Sequence, residues 1–326
     1  MRISMSLTRR SMIQLSTAAI ASTAVAVNLL PSSNFAVAAA KRRRRFSLDL
    51  RCSSIGVKAD LRQAIHLAHQ FGFESVTPDP GYLARLSNTE RGELLADMKE
   101  KGLVWGSAGL PLDFRKDENT FRAGVENLPK LAQAMKDSGV DRVGTYLMPR
   151  HDELTYVENF RQHASRLRVC ATILKDHGQR FGLEYVGPKT LWTSARYSFV
   201  HSMRETKNLI AEIGVDNVGF VLDSWHWYTA HETVDDLKTL SNADIVACDL
   251  NDAPSGREID EQIDNQRELP MATGVIDLKS FLSTLIQLEY DGPIRAEPFN
   301  AALNKLDNEA AVEATAKAMK QAFALV

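Results

Sequence analysis

Apolar and polar positions along this chain follow two periods, and the switch between them recurs at regular intervals. Val218-Gly219-Phe220-Val221-Leu222 is an uncharged run that gives way abruptly to Asp223, with His226 three positions further on. Such a run reads as a strand buried on both faces, as a parallel sheet requires. Shorter runs end the same way at Gly182-Leu183-Glu184, Val246-Ala247-Cys248-Asp249 and Ile294-Arg295-Ala296-Glu297. The pattern predicts strands over 46–50, 75–77, 104–108, 142–147, 181–186, 218–222, 245–250 and 294–298. Between them, apolar residues at helical spacing predict helices over 59–71, 89–101, 120–138, 157–177, 199–213, 234–240, 277–288 and 308–324. Gly102, Gly139, Gly178 and Gly214 stand where C-terminal helix caps belong. Eight strand–helix units in series predict an α/β fold, a single-domain (β/α)₈ barrel spanning residues 46–326. A Gly-x-Gly-x-x-Gly turn is absent, so a Rossmann dinucleotide site has no support. One connection departs from the rhythm: residues 252–276 are long and polar, as expected of a lid or binding loop.

The first forty residues fall outside this pattern. Arg9-Arg10 precedes a weakly apolar, Ala-rich stretch from Leu15 to Leu30, and small residues follow at Ala36 to Ala40. This predicts a cleaved twin-arginine (Tat) export signal over 1–40 and a periplasmic or extracellular protein. No stable membrane insertion is expected after cleavage, because Ser16, Thr17, Ser22, Thr23 and Asn28 interrupt the apolar stretch. Residues 41–45 form a basic linker, expected to be a solvated arm. The 326 residues are 44% hydrophobic and 25% charged with a formal net charge of −2, which excludes the basic excess of a nucleic-acid binder. Cys52, Cys170 and Cys248 are odd in number and widely spaced, so no disulfide framework is expected.

In parallel α/β folds, side chains at the C-terminal strand ends line the functional face. Glu184, Asp223, Asp249 and Glu297 end strands five to eight and should converge at the barrel mouth. Four carboxylates brought together repel one another, so either one holds a proton or a cation sits among them. Oxygen ligands of this kind suit Mn²⁺ first, with Mg²⁺ or Co²⁺ as alternatives. Trp192 and Trp227 are the aromatic residues expected to touch a ligand.

Four motifs carry a resemblance: Phe181-Gly182-Leu183-Glu184-Tyr185, Val221-Leu222-Asp223-Ser224-Trp225-His226, Asp249-Leu250-Asn251-Asp252 and Gly292-Pro293-Ile294-Arg295-Ala296-Glu297. Together they resemble the xylose isomerase-like TIM-barrel family of sugar isomerases, epimerases and inosose dehydratases. The resemblance implies one divalent metal held by Glu184, Asp223, Asp249 and Glu297. It implies that Glu184 and Glu297 double as acid and base on opposite faces of a small sugar. It also implies that His226 and Arg267 contact substrate oxygens. Most isomerase and epimerase members have His at the position of Asp249. The added charge of Asp249 is expected to favour hard cations over Zn²⁺. The reaction implied is isomerisation or epimerisation through a metal-stabilised enediolate. A lyase or dehydratase acting on a keto-sugar or inosose would use the same proton abstraction. A non-catalytic exported sugar-binding protein is the reading from another class, and retention of both glutamates argues against it. An endonuclease IV-like site is rejected, because Thr77-Pro78-Asp79 and Ser107-Ala108-Gly109 supply no histidine. Oligomerisation stays open.

Overall fold

The computed structural model describes residues 44–326. The twin-arginine segment and most of the basic linker lie outside the described residues. Nine strands pair in parallel: β1 (Ser47–Leu50), β2 (Ser75–Val76), β3 (Val104–Trp105), β4 (Ala108–Gly109), β5 (Arg142–Tyr146), β6 (Arg180–Glu184), β7 (Val218–Asp223), β8 (Ile245–Leu250) and β9 (Pro293–Ala296). Their order is β3-β2-β1-β9-β8-β7-β6-β5-β4. The two ends of that order, β3 and β4, are separated along the chain only by Gly106 and Ser107. They are the halves of one broken strand, and the sheet closes through it into a barrel of eight strand positions.

The expected continuous strand over 104–108 is interrupted at Gly106-Ser107. Asp49 of β1 packs its carboxylate against the backbone there, and a Cβ at Gly106 would lie 2.2 Å from Asp49 Oδ1. Any larger residue would push this buried acid out of the barrel. Gly182 serves the filling of the interior, since a Cβ there would come within 2.8 Å of Val221. The branched side chains of β7 and β8 take the space so released.

Helices cover the outside, chiefly Leu61–Gln70, Asn88–Glu100, Glu118–Asp137, Tyr156–Asp176, Met203–Ile213, Leu278–Gln287 and Asn308–Phe323. Asp60, Ser87 and Thr155 start three of them with reciprocal capping boxes, which satisfy otherwise orphaned N–H groups. The helix expected from residue 199 begins only at Met203, because Ser202 caps it through the N–H of Glu205. Directly after β7 the chain turns into a helix, Ser224–Thr229, capped by Asp223 itself. The helix expected over 234–240 shortens to Val234–Leu237.

The basic linker is not a free arm where it is described. Arg44 forms two hydrogen bonds with Glu74, at 2.6 and 2.8 Å, and its guanidinium lies 5.0 Å from the Phe323 ring. Arg45 lies 3.6 Å from Glu289. Cys52, Cys170 and Cys248 are all free. Among the described residues, no helix is long and apolar enough to cross a membrane.

Candidate active site

Side chains two residues apart on a strand point to the same face, so β6 to β9 deliver their terminal acids into the barrel mouth. Glu184, Asp223, Asp249 and Glu297 are 9%, 1%, 0% and 7% exposed, which places all four largely out of water. Oxygens of Glu184, Asp249 and Glu297 lie within 4.8 Å of one another. Ligand atoms of Glu184, Asp223 and His226 form a second such group. The convergence expected of the four strand ends is therefore present, with Glu184 common to both groups.

The balance of charge differs from that expected. Three guanidiniums enter the ring. Arg295 Nε and Nη2 donate to the two oxygens of Asp249 at 2.6 and 3.1 Å. Arg267 Nη1 donates to Asp223 Oδ2 at 2.7 Å and approaches Glu297 Oε2 at 3.4 Å. Arg51, just after β1, donates to Glu297 Oε1 at 3.0 Å. Protein cations thus face three of the four acids, and the charge that Asp249 adds is matched by Arg295. Glu184 has no such partner, and its Oε1 is buried without a hydrogen bond.

This difference in partners separates the two glutamates. Burial, reinforced by Glu297, Asp249 and Asp223, pushes the Glu184 carboxyl well above the usual carboxylate range. Burial and Asp249 also raise Glu297, but Arg51, Arg267 and Arg295 pull it back. Asp223 is raised to about 7 by burial against the pull of Arg267, with Asp249 and Glu297 adding to the rise. Burial, and then Arg267, hold His226 well below its usual value, so its imidazole is neutral. Two donors approach this ring, which in its neutral form has one acceptor nitrogen: the Gly187 N–H lies 3.2 Å from Nδ1 and Arg267 Nη2 lies 3.2 Å from Nε2. Nε2 also lies 3.8 Å from Asp223 Oδ2.

Asn251 escaped the sequence reading. Its Nδ2 donates to both oxygens of Asp223, at 3.0 and 3.1 Å, and its Oδ1 accepts from the Glu297 N–H at 2.8 Å. One amide thus fixes two acids on different strands. The only sequence signal is a polar residue two beyond Asp249. Arg51 and Arg295 were missed as well, although Arg295 is a charged residue inside an otherwise apolar strand.

The long connection behaves as a fastened cover that delivers Arg267. Asp252 accepts four backbone N–H groups, from Ala253, Thr273, Gly274 and Ile276, and so ties together both ends of the segment. Lys189 pairs with Asp260 at 2.6 Å, and Thr190 donates to the Gln262 carbonyl, so the short rim helix Lys189–Trp192 holds the cover's middle. Arg267 is stacked 4.7 Å from the Phe299 ring and 5.6 Å from Trp225. Phe299, two residues beyond Glu297, takes a left-handed backbone with φ 42°. Such strain in a non-glycine residue persists where surrounding contacts impose it.

The two tryptophans separate. Trp192 is half-buried on the rim helix and stacks on His201 at 4.6 Å. Trp227 is core instead: it packs against Phe281 at 5.5 Å, and its Nε1 donates to the Thr233 carbonyl. Its place in a helix that begins at the strand end turns it away from the mouth and into the helical layer. Beside Arg51, a cavity of about 430 Å³ opens over β1 to β4, lined by residues that include Cys52, Thr77, Asp79 and Leu110. That is room for a small polar molecule.

The donor set fits a divalent cation. An ion bonded to oxygens at about 2.1 Å holds them within roughly 4.2 Å of one another, and the ligand atoms of each group here already lie within 4.8 Å. Glu184 Oε1, buried and without a partner, is the atom such an ion would satisfy.

Comparison with known proteins agrees with this architecture. A xylose isomerase domain protein from Alicyclobacillus acidocaldarius is 31% identical with a TM-score of 0.76, over 86% of this chain and 99% of that one. The IolI protein, solved with a bound zinc atom, is 20% identical with a TM-score of 0.70, over 86% of this chain and 98% of that one. An inosose isomerase of Bacillus velezensis is 24% identical over 272 residues, 81% of this chain and 92% of the relative. Residues 65–322 match the xylose isomerase-like TIM barrel family, and the chain belongs to that family.

Proposed function

We propose that the protein is an isomerase or epimerase of a small sugar or cyclic keto-polyol, moving a proton at the carbon beside a carbonyl. One observation carries the reading: two glutamates meet in a water-poor mouth with opposite surroundings. Glu297 is flanked by the guanidiniums of Arg51 and Arg267, which favour its ionised form. Glu184 stands without a partner and holds its proton more tightly. Pairs of acids whose environments separate their proton affinities are the usual basis of acid–base catalysis. Glu184 and Glu297 exchange the substrate proton between them, one taking it and the other returning one, and the reverse reaction exchanges the roles. Neutral His226 and Arg267 stand beside the acids, each placed to bind a substrate oxygen. A divalent cation, Mn²⁺ in our proposal, would be held by ring carboxylates including Glu184 and Glu297 and would polarise adjacent substrate oxygens. The inosose isomerase relative favours a cyclic ketone as substrate.

The test is carbon-bound deuterium uptake in D₂O, using Mn²⁺-loaded protein and a panel of inososes and ketohexoses. Wild type should exchange a proton with at least one of them. Glu297→Gln should exchange on the order of 10²–10⁴ times more slowly. A fully loaded Glu297→Gln protein exchanging at the wild-type rate would remove Glu297 from this role.

A further inference from the structure

Asp249 and Arg295 are direct partners in the register of β8 and β9. Neighbours in register share a face, so the two side chains occupy one layer of the barrel interior. Asp223 is in turn the register partner of Asp249 and shares that layer, while Glu297, two residues beyond Arg295, belongs to the next layer towards the mouth. The pair is closed. Both Asp249 oxygens are engaged by the same guanidinium, Asp249 is fully buried, and Arg295 Nη1 is held in addition by the Ser107 carbonyl at 3.3 Å. Asp49, the register partner of Arg295 on β1, adds a second buried acid to the same layer, with one oxygen unpartnered.

Asp223 is held differently. Its fixed partners are the Trp225 N–H and the Asn251 amide, neutral donors of the kind that orient a ligand without cancelling its charge. Its one cation, Arg267, comes from the 252–276 connection and is shared with Asp264 and Glu297. The ring is therefore not four equivalent acids.

We infer that Arg295 withdraws Asp249 from the cation's ligands, so that Glu184, Asp223 and Glu297 hold the ion while Arg295 serves as a permanent internal counter-ion for Asp249. The inference rests on the cation reading above. It makes Arg295 a positioning residue that sets how tightly the mouth binds a dication.

The test is Mn²⁺ binding to the full chain, by calorimetric titration and by electron paramagnetic resonance of the free ion, for wild type, Arg295→Met and the charge-neutral double change Asp249→Leu with Arg295→Met. The double change removes a buried ion pair as a unit, an exchange that folded proteins usually tolerate. It should bind Mn²⁺ within about threefold of wild type, because no ligand and no net charge are lost. Arg295→Met alone frees Asp249 and should bind at least tenfold more tightly. A tenfold or greater loss of affinity in the folded double variant would overturn the inference by making Asp249 a ligand. If wild type takes up no Mn²⁺, the cation reading fails. Uptake by Arg295→Met would then still establish that the arginine sequesters Asp249, and its absence there would overturn the inference too.

Discussion

Replacing Glu184 by Gln should make the metal-free protein more stable than wild type, by an amount that grows with pH. Glu184 is 9% exposed, its Oε1 has no hydrogen-bond partner, and three other acids surround it. Folding therefore raises its pKa well above the ordinary 4.5, through burial first and Glu297 second. A carboxyl raised on folding binds its proton more tightly in the native state than in the unfolded one. Its contribution is complete below about 4.5 and is lost as pH rises towards the native value. Across that window wild type loses up to about 1.4 kcal/mol per pH unit from this group, the value of one proton. Glutamine keeps the shape, has nothing to ionise and escapes the loss. For a barrel of this size 1 kcal/mol corresponds to roughly 2 °C in melting temperature. The two proteins should melt together near pH 4.5 in chelator and diverge by a few degrees per pH unit above pH 5. Adding Mn²⁺ should reverse the order, since the cation stabilises the ionised wild-type acid and finds a weaker ligand in the variant. The assay is thermal unfolding of both proteins from pH 4.5 to 8, with chelator and with Mn²⁺. A gap that stays constant with pH in chelator would refute the claim that Glu184 is an unpaired buried acid.

Two further outcomes follow from the same geometry. Asn251→Ala leaves Asp223 and the Glu297 N–H short of their shared partner, so it should cost about 1–3 kcal/mol of stability, read by urea unfolding; no loss would deny the amide its bridging role. For export, Arg9-Arg10→Lys-Lys should retain folded precursor in the cytoplasm, as fractionation would show; unchanged secretion would refute the Tat proposal.

Local pattern alone determined much of this protein. The alternation between buried strand runs and amphipathic helices indicated eight strand–helix units, because burial on a strand and on a helix imposes different periods. The placement of Glu184, Asp223, Asp249 and Glu297 at one end of the barrel followed from that alternation, since each ends an apolar run. His226 and Arg267 were also found at the site, through the motif resemblance. Tertiary structure decided the rest. Arg51 reaches Glu297 across 246 positions of sequence, and Arg295 reaches Asp249 across 46. No local period reports such meetings, because they depend on the register between strands and on closure of the sheet. Between β3 and β4, Gly106 has to be glycine because Asp49 of another strand occupies the space of a Cβ. Trp227 shared the composition of a ligand-facing residue, yet the helix starting at Ser224 rotated it into the core. Periodicity states which side of an element is buried. Which charges meet there, and whether an acid finds a guanidinium or stands alone like Glu184, is decided only when the barrel closes and sets the distances between them.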